Sequence, residues 1–179
     1  KVLAKAAALP FDFMGKDLNL NLPTLLDHRP LTIRNSEIKN IFKVAETIVE
    51  SFRKTLKSLD FTEFQCPNIV PVVAEGGADV FRLDYYKYDA YLSQSPQIYK
   101  QIMLSAFERV FTITHVYRAE PSVTTRHMSE FTSLDAEMAF IDSWQDLMDT
   151  CELIIRNMFA DLKPLKVDVP ELGREIPRI

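Results

Sequence analysis

The stretch Val110–Glu137, VFTITHVYRAEPSVTTRHMSEFTSLDAE, decides the fold of this chain. It reads as a strand, a polar loop and a second strand. In the first strand Phe111, Ile113, His115 and Tyr117 share one parity, and Thr112, Thr114, Val116 and Arg118 share the other. Strand side chains alternate between faces, so Arg118 and Glu120 point the same way if the strand runs that far. After the loop, Leu134, Ala136, Met138 and Phe140 make an apolar face, and Phe131, Asp135 and Glu137 lie opposite. The hairpin is therefore half core and half charged, and its loop adds Arg126 and His127. A solvated sheet face tolerates such residues; a site for an anionic, aromatic-bearing ligand needs them.

Helices flank this hairpin in sequence. Ile38, Ile41, Phe42, Ala45, Ile48, Val49, Phe52, Leu56 and Leu59 form one stripe of helical period. A second helix is predicted to begin near Asp142, with Gln145 completing a capping box, and its stripe runs from Trp144 through Leu147, Cys151 and Ile154 to Leu162. Strand candidates lie near Asp79–Tyr86 and Asp89–Ser93. Locally paired strands with helices on one face predict an α+β fold with a mainly antiparallel sheet flanked by helices.

Composition excludes several classes. The 179 residues allow one good-sized core, with room for a fragment of a second domain. With 47% hydrophobic and 26% charged residues the chain reads as globular. A net charge of −4 and a pI near 5.4 are not those of a domain that grips nucleic acid by charge alone. Cys66 and Cys151 have no zinc spacing and make no secreted disulfide framework, so both are expected to be buried thiols. His28 and His115 are expected to be structural. The glycines, Gly15, Gly76, Gly77 and Gly173, cannot form a dinucleotide-binding or Walker loop, which argues against Rossmann and P-loop folds. With no signal-peptide pattern and no apolar run near 18 residues, a cytoplasmic protein without a membrane partner is expected.

The segment YRAE (Tyr117–Glu120), a loop and RHMSEF (Arg126–Phe131) resemble motif 2 of class II aminoacyl-tRNA synthetases, in the form seen in the aspartyl, asparaginyl and lysyl subgroup. Ile41–Pro67 resembles motif 1, a long helix followed by a strand (Phe61–Cys66) that ends in proline. Glu75-Gly76-Gly77 followed by Phe81 resembles the EGG segment of the subgroup, and Ala90–Gln101, AYLSQSPQIYKQ, is similar to a segment of aspartyl-tRNA synthetases of archaeal and eukaryotic type. The resemblance covers roughly residues 8–179, and the motifs occur in the family's order. It implies the truncated N-terminal half of a class II catalytic core.

The roles that the resemblance implies agree with the chemistry of the residues. When a carboxylate attacks the α-phosphate of ATP, a planar guanidinium can hold both groups in one geometry, and Arg118 would do so as the catalytic residue. Glu120 would accept a hydrogen bond from the adenine amino group, and Phe131 would stack on the ring. Arg126, His127 and Met128 would contact ATP from the loop. The bland alternatives are a surface Arg118–Glu120 pair and a core Phe131.

Ser95 is a good N-cap and Pro96 suits a first helical position, so a helix starts here and sets Gln97 and Lys100 on one side of its first turn. In aspartate enzymes the equivalent Gln and Lys bind the substrate, with Lys on its side-chain carboxylate. Asparaginyl enzymes generally lack this Lys, so Lys100 favours aspartate; a snorkelling surface lysine is the alternative. Glu75 resembles the residue that meets the substrate's α-ammonium group. Pro121, where many relatives are polar or acidic, removes an N–H and stiffens the start of the loop.

The resemblance thus implies an aspartate–tRNA ligase, a homodimer that uses ATP, Mg²⁺, aspartate and tRNA, with the tRNA acceptor end in a locally basic cleft. Residues 1–30 resemble a linker from an anticodon-binding OB domain, and residues 31–179 the first half of the catalytic domain. Motif 3 and the Mg²⁺ ligands are expected beyond Ile179, with no metal site within this chain, which would make the chain weakly active or inactive alone. The alternatives are an asparagine–tRNA ligase or related paralogue, and a non-catalytic remnant that dimerises or binds a partner.

Overall fold

The alternating stretch forms a long antiparallel hairpin in the computed structural model, which describes residues 3–5, 7–12, 18–74, 79–121, 124 and 127–165. In chain order the elements are α1 (Leu22–Asp27), α2 (Arg29–Thr32), α3 (Ser36–Ser58), β1 (Thr62–Glu63), β2 (Ile69–Val70), β3 (Arg82–Tyr85), β4 (Tyr88–Leu92), α4 (Gln97–Met103), β5 (Arg109–Tyr117), β6 (Glu130–Met138), α5 (Trp144–Leu162) and a 3-10 turn, Lys163–Leu165. Strands β5 and β6 pair from Arg109↔Met138 to Tyr117↔Glu130. Strand β1 adds to β5 in parallel, giving the order β1-β5-β6, and a second sheet has the order β2-β4-β3 with antiparallel pairs. The expected antiparallel character therefore holds except at β1.

The core lies on the hairpin face that carries Phe111 and Ile113. Phe111, Leu56, Phe52 and Phe61 are its buried centre, with Leu134, Ala136, Met138, Ile154 and Met158 packed around it. Phe52 and Phe111 meet edge to face, centroids 5.8 Å apart at 83°, a favoured aromatic geometry. Helix α3 supplies Phe52 and Leu56 and helix α5 supplies Ile154 and Met158, and the two are tied together by Asn157 Nδ2 donating to Thr55 Oγ1 at 3.0 Å. Each fully buried Phe or Leu contributes on the order of 1.5–3 kcal/mol.

Local chemistry sets where the elements start. The side chain of buried Asn35 caps α3 by accepting from Glu37 N at 3.0 Å and Ile38 N at 3.4 Å. At the other end Asp60 takes a φ of 62°, turning the chain so that Phe61 N donates to Leu56 O at 3.0 Å. Helix α5 begins one residue later than predicted. Ser143 is its N-cap, and Asp146 rather than Gln145 closes the capping box, accepting from Ser143 N at 3.1 Å. A carboxylate also suits the positive end of a helix.

Two strand predictions shrink, the one near Asp79–Tyr86 to Arg82–Tyr85. The Phe61–Cys66 strand is only Thr62–Glu63, although Phe64 N still donates to Phe111 O at 3.0 Å. Helix α4 starts at Gln97 with Pro96 in the cap position, while Ser95 Oγ accepts from Gln97 N at 3.2 Å.

The apolar stripes are longer than the surface that covers them. On α3 the C-terminal half is buried, whereas Ile41 and Phe42 are 65% and 51% exposed. On α5 Trp144, Leu147 and Met148 face solvent in large part. Cys151, expected to be buried, is exposed on that same uncovered stripe, and Cys66 is half-buried. His115 is exposed and sits 3.2 Å from Glu130.

Phe111→Ala should cost about 3–5 kcal/mol of unfolding free energy, because it empties the contact between β5 and α3. Urea denaturation of the intact protein measures this; a loss below about 1 kcal/mol would show that the hairpin does not carry the core.

Candidate active site

The opposite face of the hairpin carries Val110, Thr112, Thr114 and Val116 from β5, and Phe131, Ser133, Asp135 and Glu137 from β6, because paired residues of an antiparallel ladder share a face. Its β5 half is buried as well. The half-charged character read from the sequence is therefore confined to β6 and to the ends of the hairpin.

Helix α4 lies against this face and is placed by the junction of the two sheets. Ser93 N donates to Asn68 O and Tyr117 N to Ser93 O, both at 2.9 Å, while Thr114 Oγ1 donates to Asn68 Oδ1 at 2.8 Å. Ser93 Oγ then donates to Ser95 O at 2.9 Å, turning the chain into α4 beside the buried Pro96.

The helix delivers Lys100 into the sheet. Lys100 is 5% exposed, which overturns the surface-lysine alternative. Its Nζ lies 2.5 Å from Asp135 Oδ1 and 2.8 Å from Glu137 Oε2, and it donates to Ala136 O at 3.4 Å. Gln97, one turn earlier, donates from Nε2 to Glu137 Oε2 at 3.4 Å. Gln97 and Lys100 thus do face one site together. Burial works against the Lys100 charge, but hydrogen bonds and charge from Asp135 and Glu137 outweigh it and raise its pKa above the ordinary 10.5. The contribution of the Lys100 proton to stability is therefore fully present below pH 10.5 and is lost as pH rises through the higher folded value.

Asp135 and Glu137 were not among the site residues predicted from sequence. Their signal was present in the parity they share with Phe131, but parity alone could not say that a lysine from a distant helix meets them.

Along the same face lies a second group. Strand β5 ends at Tyr117, so Arg118 and Glu120 stand just past it rather than within it. Arg118 N nevertheless donates to Ser129 O at 3.0 Å and Ala119 N to Asp79 O at 2.9 Å, extending the pairing into the loop. The Arg118 guanidinium sits over the Phe131 ring, 5.6 Å from its centre. Phe131 is half-buried at the sheet surface rather than in the core, and Glu120 is half-buried nearby in sequence. In the loop, His127 Nδ1 and Thr124 Oγ1 are 2.6 Å apart, and His127 and Met128 are exposed. Glu75 and Arg126 lie outside the described residues. Phe131 and Asp135 are four residues apart on one strand, about 13 Å at the usual rise of about 3.3 Å. Among the described residues no group of three or more His, Cys, Asp or Glu could hold a metal ion.

The chain is similar to known proteins over most of its length. The family described as tRNA synthetases class II (D, K and N) matches residues 21–179. The chain is 39% identical to an aspartate–tRNA(Asp/Asn) ligase of Deinococcus radiodurans, over 99% of this chain and 43% of that protein. It is 39% identical to an aspartate–tRNA(Asp) ligase of Pyrococcus abyssi, over 100% of this chain and 43% of that one. Among solved structures it is similar to an asparaginyl-tRNA synthetase from Pyrococcus horikoshii complexed with asparaginyl-adenylate, with a TM-score of 0.82, 34% identity and coverage of 93% of this chain and 38% of that one. It is also similar to a putative aspartyl-tRNA synthetase from Leishmania major Friedlin, with a TM-score of 0.75 and 32% identity over 86% of this chain and 29% of that one. The chain thus spans 43% of the length of those two curated ligases. Fold, motif order and whole-chain similarity agree that this chain belongs to the class II tRNA synthetases of the D, K and N group.

Proposed function

We propose that this chain carries the amino-acid-activation face of an aspartate–tRNA ligase. The observation that supports it most is the buried Lys100, paired with Asp135 and Glu137, about 13 Å along one strand from an arginine and an aromatic ring. That spacing suits an amino acid at one end and adenine at the other. The D, K and N membership and the aspartate–tRNA ligase relatives point the same way.

In this reading the carboxylate of aspartate attacks the α-phosphorus of ATP and pyrophosphate leaves, giving aspartyl-adenylate. The aspartyl group then passes to a ribose hydroxyl of the terminal adenosine of tRNA, and AMP leaves. No covalent enzyme intermediate is needed, because orientation and charge stabilisation supply the catalysis. Arg118 neutralises charge at the α-phosphate, Phe131 carries the adenine ring, and Glu120 accepts from its amino group. Arg126, His127 and Met128 belong to the loop over the nucleotide, and Glu75 to the α-ammonium end. Gln97 and Lys100 read the substrate, Lys100 through its side-chain carboxylate. Lys100 already holds two carboxylates, so a third is accepted only in company with new positive charge, and the substrate's own α-ammonium brings one. Among the described residues no group of three or more His, Cys, Asp or Glu could hold a metal ion, and no step here runs through Mg²⁺.

Asparagine as substrate is the second reading, favoured by the likeness to the asparaginyl-tRNA synthetase structure. The two are separated by ATP–pyrophosphate exchange with each amino acid. A buried, charged Lys100 favours the acid over its neutral amide.

The same reading makes the protein a homodimer. The uncovered half of the α3 stripe, Ile41 and Phe42, needs an apolar partner surface that the described residues do not supply. No helix among the described residues is long and apolar enough to cross a membrane, and a cytoplasmic setting with tRNA as partner completes the proposal.

Two outcomes are expected. In the intact protein Lys100→Leu should lower aspartate-dependent pyrophosphate exchange by about 10²-fold or more, with ATP affinity nearly unchanged. An unaltered aspartate dependence would remove Lys100 from the substrate site, and exchange with asparagine alone would select the second reading. Sedimentation of the intact protein should show a dimer that Phe42→Glu converts towards monomer; an active monomer at micromolar concentration would rule the interface out.

A further inference from the structure

Phe131 is not bare in this structure. The guanidinium of Arg118 stands over its ring at 5.6 Å. The register builds this contact. Val116 pairs with Phe131, and Arg118 N bonds Ser129 O one step further along. Arg118 is therefore the diagonal neighbour of Phe131 on the same face, within reach of a long side chain. Among the described residues Arg118 makes no ion pair, so its charge rests on the ring.

We propose that Arg118 caps the adenine platform whenever no phosphate is present, and so makes the site select phosphorylated nucleotides over adenosine. The inference rests on the nucleotide-site reading of Phe131 given above. It goes beyond a role for Arg118 at the α-phosphate, because it assigns the same side chain a second resting place that competes with the base. At an exposed site a cation–ring contact is worth about 0.5–1 kcal/mol, or about two- to fivefold in affinity. Charge-assisted, bidentate hydrogen bonds to a phosphate are stronger. A nucleotide with a phosphate draws Arg118 off the ring at the moment its base needs the ring. Adenosine must displace the guanidinium with nothing to offer in exchange, so its apparent affinity falls by the fraction of sites that are capped. The planar guanidinium is suited to both positions, since it stacks on an aromatic face and forks onto an anion.

The test is calorimetric titration of the intact protein with adenosine and with ATP. Arg118→Ala should bind adenosine about two- to fivefold more tightly than the wild type and ATP more weakly. In a Phe131→Leu background the same arginine substitution should bring no gain for adenosine. Unchanged or weaker adenosine binding by a folded Arg118→Ala protein would overturn the proposal, and so would an equal gain without the Phe131 ring. If the wild type binds neither ATP nor adenosine, the nucleotide-site reading itself fails. ATP binding without the adenosine gain sinks only the capping role.

Discussion

The antiparallel register of β5 against β6 is the constraint on which the rest of this structure depends. It fixes two faces at once. Phe111, Ile113, Leu134, Ala136 and Met138 turn towards α3 and α5 and make the core. Phe131, Asp135 and Glu137 turn the other way, in line with Thr112 and Val116. A slip of one residue would exchange these sets, burying carboxylates in the core and exposing the apolar row, so the register is strongly specified.

The buried ammonium of Lys100 is the second consequence. Burying a charge is costly unless it is paired and hydrogen-bonded. Here two carboxylates and a backbone carbonyl meet one Nζ, and the net effect raises rather than lowers the lysine pKa. Such a cluster is weak evidence for stability, since an apolar replacement of similar volume is often as good or better. Its place one turn from Gln97, which donates to the same Glu137, fits the recognition role proposed above. The same face carries its second charge differently: Arg118 is exposed and rests on a ring. One cation is buried between two carboxylates, and the other is exposed over an aromatic ring.

The sequence by itself determined the hairpin, its two faces, the paths of α3 and α5, and the short strands near Arg82–Leu92, because those follow from periodicity of two and of about 3.6 residues. It also marked Arg118, Phe131, Gln97 and Lys100 as one set through their motifs. Local details strayed by a residue or two, as at Ser143–Asp146, where neighbouring polar residues offer equivalent caps and geometry chooses between them.

Only the tertiary structure decided which charges meet. Lys100 and Asp135 are far apart in sequence, and no periodicity links them. Their contact depends on Ser93 and Asn68 joining the two sheets and aiming α4 at β6. Burial of β5 on both faces is likewise a tertiary result, since polar Thr112 and Thr114 read as solvent-facing until α4 and the second sheet are in place. Cys151 fails in the opposite direction. Its stripe has the period of a buried helix face, but periodicity specifies only that a face is apolar, and what covers that face is a matter of packing.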